Sequence, residues 1–195
     1  MNNDLENIAT NVDSIRCGWC LGSKEYIDYH DNDWGKPVYD DQSLFEYLVL
    51  ESAQAGLSWI TILKKREGYR QAFHQFNIIK VAAMTIEEQE GLVTNPAIVR
   101  HQGKIKATVT NAQAFLDIIK EFGSFSDYYW AFSKNKIIDH IPNSASDVPA
   151  VTELAKTIAK DLKKRGFKFV GPTICYAYMQ ATGMVNDHIR ECISR

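Results

Sequence analysis

Neither sign of charge dominates this chain: 22 Lys and Arg stand against 24 Asp and Glu, a formal net charge of −2. A strongly basic domain announces a polyanionic partner through its whole field; here any contact with nucleic acid must come from a local patch. Proline and glycine are sparse, 5 and 11 in 195 residues, which excludes a linker-like or low-complexity chain. No apolar run reaches the roughly 18 residues that a membrane-spanning helix needs, because Lys, Gln or Gly interrupts each long stretch. The opening MNNDLENIATNVDS lacks a basic segment followed by an apolar one, so it is not read as a secretory signal and the chain is expected in the cytoplasm. Only four cysteines are present. In a reducing compartment they are expected as free thiols or metal ligands rather than as a disulfide framework. Convincing strand alternation and internal repeats are missing as well.

What the chain does have is a 45% apolar fraction with 11% aromatic residues, enough for the core of one soluble domain. Apolar residues recur at three and four almost throughout, so the fold is expected to be mostly α. Leu44, Phe45, Leu48 and Val49 mark one helix, Gly56 breaks it, and Trp59, Ile60 and Leu63 mark the next. Thr85 and Glu88 form the pattern of a capping box, and Ile105 to Ile119 reads as a longer helix stopping near Gly123. Residues 143–147, rich in Ser and Asn, are read as a surface loop. In the last third, Leu154, Ile158 and Leu162 step by four, Gly166 stops that helix, and Gly171 precedes a new one at Pro172. The turn between them holds Lys163, Lys164, Arg165 and Lys168. Such a turn offers backbone amides and cations to phosphate without reading base sequence.

Cysteine and histidine are spaced as metal ligands are: Cys17 and His30 lie thirteen apart, and His188 and Cys192 lie four apart, as on one helical face. Two thiolates and two imidazoles make a closed structural zinc set; the alternative is buried thiols and hydrogen-bonded histidines. Cys17 and Cys20 also make a C-x-x-C pair, a spacing shared by redox dithiols and metal knuckles. No βαβ setting for redox chemistry is visible, which leaves Cys20 as a substitute ligand should His30 point elsewhere, and Cys175 as core. Glu51 ends an apolar helix, where an unpaired acid is costly to bury; a capped or exposed acid is the plainer alternative. Trp19, Tyr26, Tyr29, Trp34 and Trp59 crowd the first third of the chain.

The segments RCGW (16–19), YHDNDWG (29–35), QAGLSW (54–59), KRGFKFVG (164–171) and VNDH (185–188), taken in order, resemble the 3-methyladenine DNA glycosylase I group of the helix-hairpin-helix glycosylase superfamily. The resemblance runs from about Arg16 to Cys192 and implies a single glycosylase domain over 16–195, preceded by a polar extension over 1–15. The helix-hairpin-helix falls at about 152–182, and a structural zinc on Cys17, His30, His188 and Cys192 joins the N- and C-terminal segments. Glu51 matches a base-recognising, catalytically important Glu, with Ser52 where the group commonly has Gly. Tyr29 and Trp59 are assigned to stacking on the base and Trp19 and Tyr26 to lining the pocket; Trp34 is left between pocket and core.

A base-processing enzyme must take its base out of the stack. A cationic N3-methylated adenine is then favoured by aromatic faces, by about 0.5–2 kcal/mol for each well-placed contact. Lys164, Arg165, Phe167, Lys168 and Gly171 are assigned to the DNA backbone. Leu57 is the candidate wedge, with helix-end packing as its alternative. Asp187 is a second candidate carboxylate, expected instead to orient His188. The resemblance thus implies a monomeric repair hydrolase acting on double-stranded DNA containing alkylated adenine, with free 3-methyladenine as product and no strand-cleaving lyase step. A zinc-stapled DNA-binding module without catalysis and a thiol redox protein are the alternatives from other classes.

Overall fold

The structure, a computed structural model, describes residues 15–195. The polar extension expected over 1–15 therefore lies outside the described residues except for Ile15, whose carbonyl accepts the Ile193 N–H at 3.0 Å and so belongs with the folded body. Ten α-helices occur among the described residues: α1 (Lys24–Asn32), α2 (Asp41–Gln54), α3 (Trp59–Leu63), α4 (Arg66–Ala72), α5 (Ile78–Ala82), α6 (Ile86–Leu92), α7 (Gln102–Phe122), α8 (Phe125–Ala131), α9 (Glu153–Lys164) and α10 (Pro172–Ala181). Two short strands, β1 (Ile138–Asp139) and β2 (Val185–Asn186), pair in parallel, with Ile138 opposite Val185. The fold is thus mostly helical, as the periodicity indicates. No helix of the described residues is long and apolar enough to cross a membrane.

Caps set the helix starts. Ser23, Asp40, Ser124 and Thr152 each accept an amide N–H two or three residues into the helix that follows, each worth about 1 kcal/mol. Thr85 and Glu88 complete the expected capping box on α6. The expected α7 ends at Gly123, whose φ of +92° is the left-handed stop. After α9, the Gly166 N–H reaches the Lys163 carbonyl at 3.1 Å and the Phe167 N–H reaches the Leu162 carbonyl at 3.0 Å, the Schellman arrangement, with Gly166 at φ +98°. In that motif the residue after the glycine packs inward, and Phe167 is accordingly buried beside Phe125.

α2 sits at the centre. Leu44, Phe45, Leu48, Val49 and Leu50 are all 0–1% exposed, because α3, α7, α8 and α10 surround the helix. Burying each such side chain contributes roughly 1.5–3 kcal/mol. Phe115 of α7 stacks on Phe125 of α8 with centroids 3.8 Å apart, and the Tyr178 hydroxyl of α10 donates to the Leu44 carbonyl at 3.1 Å. The last half of this helix, Tyr47–Ala53, is buried whatever it carries, and it carries Glu51.

The far end of α10 is closed by the segment that follows α1. The Gly35 and Val38 N–H groups donate to the Gln180 and Thr182 carbonyls at 3.0 and 3.1 Å. Gly183, at φ +68°, passes so close that a Cβ would lie 2.4 Å from the Lys36 carbonyl carbon. Gly183→Ala should therefore cost at least about 2–4 kcal/mol, combining left-handed strain with a backbone clash. Gly91→Ala, within α6 and with nothing within 4 Å of its Cβ position, should be neutral or gain about 0.5–1 kcal/mol. Urea unfolding of the two variants beside the parent measures both.

Candidate active site and metal cluster

A cavity of about 290 Å³ opens beside α2. Glu51 lies in its wall because the burial of α2 runs on through Tyr47–Ala53 to the last turn. Gly56, at φ +79°, then turns the chain back, so that Trp59 at the start of α3 faces the same space. Glu51 is 3% exposed and its Oε2 has no hydrogen-bond partner among the described residues. Burial alone raises its pKa to about 8, since desolvation penalises the ionised form. Tyr29 of α1 and Trp59 stand with ring centroids 5.3 Å apart at 54°. The indole Nε1 of Trp59 is buried without a partner as well. Burial, and then the neighbouring Glu51, push the Tyr29 hydroxyl well above its usual pKa, so it stays a neutral donor.

Trp19 also lines the cavity, edge-on to Trp34 with centroids 5.0 Å apart. Trp34, undecided from sequence, proves to be wall, backed by the ring of His30 at 6.1 Å and 21°. Tyr26 corrects its expected place: it does not line the cavity but stands behind Trp19, and its hydroxyl accepts the Ile60 N–H at 3.0 Å, fixing the start of α3. Ala145, from the stretch expected to be only a surface loop, and Val148 just after it contribute wall, where a 3-10 turn (Ala145–Asp147) is held by a Ser144–Asp147 capping box. Sequence reasoning missed Gln54 and Gln180. Gln54 follows Glu51 by three on the same helix, a spacing that places both on one face.

Asp187, the second carboxylate in the wall, contrasts with Glu51. Although 2% exposed, it accepts from Tyr176 at 2.6 Å, from Gln180 at 2.8 Å and pairs with His140 Nδ1 at 2.7 Å. It does not orient His188, as expected from their adjacency; that imidazole is held by the Trp34 carbonyl, 3.1 Å from Nε2.

Cys17, His30, His188 and Cys192 converge beside this wall, their ligand atoms all within 4.8 Å of one another. His188 and Cys192 do so from an irregular segment after β2 rather than from the expected helical face. The Sγ–N separations are 3.7 Å for Cys17–His188, 3.4 Å for Cys192–His30 and 3.3 Å for Cys192–His188. Zinc bonds of about 2.3 Å to sulfur and 2.0–2.1 Å to nitrogen at tetrahedral angles require about 3.6 Å, so the four residues fit such an ion. Both rings also aim correctly. His30 Nδ1 meets Asp31 at 2.7 Å, leaving Nε2 toward the cluster, and His188, held at Nε2, turns its Nδ1 there. Burial lowers the His188 pKa to about 4, so the ring is neutral and has a lone pair to give. Burial also pushes the Cys17 thiol up to about 12; a divalent cation at the centre is what would favour its thiolate. The Ile189 and Ser194 N–H groups point at the two sulfurs, each at 3.5 Å. Cys20 is fully buried outside the set, and Cys175 is core as expected.

The residues assigned to DNA fall into three kinds. Lys164, Lys168 and Leu57 are exposed, Leu57 at the α2–α3 turn, and Gly171 caps α10 with no side chain on its first amides. Phe167 is 2% exposed, so its side chain has no surface to offer. Arg165 is bound by Glu121 at 2.7 Å and Asp161 at 2.8 Å and lies over Phe122 and Tyr128. A phosphate would have to compete with two carboxylates for it.

The chain matches the methyladenine glycosylase family over residues 19–195. It is 50% identical over 180 residues to the DNA-3-methyladenine glycosylase of Haemophilus influenzae, covering 92% of this chain and 97% of the relative. Its fold superposes with a TM-score of 0.89 on a crystal structure of 3-methyladenine DNA glycosylase I (TAG), 50% identical, over 92% of this chain and 98% of the other. It superposes equally, at 0.89, on the Staphylococcus aureus enzyme solved to describe 3-methyladenine recognition, 43% identical over 91% and 95% of the two chains. Half-identical over nearly its whole described length, and folded as these proteins are, the chain belongs to the methyladenine glycosylase family and is a glycosylase enzyme.

Proposed function

We propose that this enzyme, acting as a monomer, removes 3-methyladenine from alkylated double-stranded DNA by hydrolysing its N-glycosidic bond, and releases the free base without cutting the strand. One observation carries the reading: a buried carboxylate with an unpartnered oxygen, Glu51, in an aromatic-walled cavity whose lining includes no Lys or Arg to neutralise it. A cationic, flat ligand with an amino group supplies what that arrangement lacks. Stacking against Tyr29 and Trp59 meets the charge with aromatic ring faces, and Glu51 Oε2 accepts from the exocyclic amine. Neutral adenine offers the same amine without the charge.

An N3-methylated purine already leaves as a neutral base, so little general-acid work is needed. Glu51 and the hydrogen-bonded carboxylate of Asp187 serve to stabilise positive charge developing on the sugar. With no lysine in the lining to form a covalent imine, water is the acceptor of the sugar. The α9–α10 pair acts as a helix-hairpin-helix whose Lys164, Lys168 and Gly171 meet phosphates, while Leu57 fills the gap left by the flipped nucleotide. Zinc on Cys17, His30, His188 and Cys192, when bound, supplies folding free energy rather than chemistry.

Release of free base from methylated duplex DNA tests the whole reading. Glu51→Gln should slow it roughly tenfold to a hundredfold under single-turnover conditions, the equivalent of one charge-assisted hydrogen bond of about 1.5–3 kcal/mol. A variant that excises at the parent rate overturns the assignment.

The pH dependence has a definite sign. In the free enzyme Glu51 ionises near 8, while a cationic base favours its carboxylate. Base release at low substrate should therefore rise with pH toward 8 and lose that rise in Glu51→Gln. Stability runs the other way: between pH 4.5 and about 8 the folded state binds the proton that the unfolded state has released, so stability falls as pH rises. Glu51→Gln should consequently unfold at higher urea than the parent, by on the order of 1 kcal/mol or more at pH 7, with the gap narrowing toward pH 5.

For the metal, purified protein should contain about one zinc per chain. Cys192→Ser should lower that content and the thermal midpoint, at about 2–4 °C per kcal/mol. Full stability in a metal-free preparation contradicts this.

A further inference from the structure

Two stretches of this weakly acidic chain contain no Asp or Glu: Gly91 to Leu116, with Arg100, Lys104 and Lys106, and Leu162 to Asn186, with Lys163, Lys164, Arg165 and Lys168. They are far apart in sequence and adjacent in the fold. The side chain of Asn111, buried on α7, donates to the Lys168 carbonyl at 3.1 Å and accepts its N–H at 2.7 Å, which clamps the α9–α10 turn onto α7. The clamp uses up the Lys168 amide and leaves the Lys168 side chain outside. Two turns nearer the start of α7, the Lys104 ammonium donates to the Ala53 and Ala55 carbonyls at 2.8 and 2.7 Å. It thereby holds the end of α2, next to the turn that carries Leu57.

Between the clamped turn and the start of α7 runs an open groove lined by Gly103, Lys106, Ala107, Thr110, Lys168 and Phe169. It has two ammonium groups and no carboxylate, and neither lysine is ion-paired within the described residues. Phe169 is 39% exposed at its rim, in a left-handed conformation of φ +55°, with its ring over Gly103 and edge-on to His101. An aromatic residue held out at a strained position beside two free cations is poorly suited to a solvent-facing role. It suits a ligand with alternating negative and apolar surface.

We propose that this groove holds the sugar-phosphate backbone of duplex DNA, with Lys106 of α7 as a phosphate contact and Phe169 packed against a deoxyribose. The inference rests on the DNA-repair reading above and extends its DNA face from the α9–α10 turn onto α7. The acid-free complementarity selects a polyanion, and the lack of any base-reading constellation in the groove makes the contact independent of sequence.

Fluorescence anisotropy with an undamaged duplex between 50 and 200 mM salt tests it on the whole protein. Lys106→Gln should weaken binding severalfold and reduce the slope of log affinity against log salt by about 0.9, one phosphate contact; Lys106→Glu should do so more strongly. Phe169→Ala should weaken binding with the slope kept. Lys120→Gln removes the same charge from the same helix, 14 residues and so about 21 Å further along, and should leave the slope alone. Thermal midpoints of the three lysine variants should stay at the parent value, since those side chains are exposed. Parent-like affinity and slope in both Lys106 variants overturns the groove, as does an equal effect of Lys120→Gln, which would mark the loss as one of net charge. Parent protein that releases no base from methylated DNA and shows no salt dependence overturns the repair reading itself, whatever Lys106 does.

Discussion

An ionised carboxylate taken out of water without a partner is among the least favourable groups a fold can carry, and the arrangement around Glu51 follows from that constraint. Its helix is buried from Tyr47 to Ala53, so the side chain has little access to solvent, and no cation is supplied in the cavity wall by the described residues. The group answers by holding its proton. On the reading proposed above, a ligand that is already cationic favours the carboxylate, whereas a neutral ring of the same outline leaves the carboxyl as it was.

The metal cluster and the cavity are one construction. Cys17 and Trp19 share a turn, and Tyr29 and His30 are neighbours on α1, with Tyr29 facing the cavity and His30 facing the cluster. The Trp34 carbonyl aligns His188 while its ring forms wall. Behind them, Arg16 grips both oxygens of Asp31 through hydrogen bonds of 2.9–3.0 Å, which keeps that carboxyl well below the usual range and ready to receive His30. Joining the chain's two ends at this point therefore fixes the aromatic rings.

Much of this was legible in order. Helical periodicity, the Gly56 and Gly166 stops and the capping box at Thr85 depend on neighbours within a few turns, and local rules describe such neighbours well. The errors arose where a residue's role depends on distant contacts. Phe167 reads as part of a basic turn, yet the Schellman closure at Gly166 turns it inward onto Phe125. Arg165 reads as a free cation, yet Glu121 lies forty-four residues away in the chain and 2.7 Å away in space. Tyr26 differs from Tyr29 by under one helical turn, and only the packing of α3 decides that one buttresses and the other faces the cavity.

The sequence by itself determined the helical class, the helix boundaries at glycines and caps, the family and four Cys and His side chains of a kind that could hold a metal, since periodicity, backbone conformation and ligand chemistry are properties of residues and short segments. Tertiary structure alone decided that Glu51 Oε2 has no hydrogen-bond partner among the described residues, that Asp187 has three, that Trp34 is wall, and that two acid-free stretches meet through Asn111 to make a basic face on a chain of net negative charge. The reason is that desolvation and electrostatic complementarity are fixed by which surfaces are brought together, and linear spacing carries no record of that.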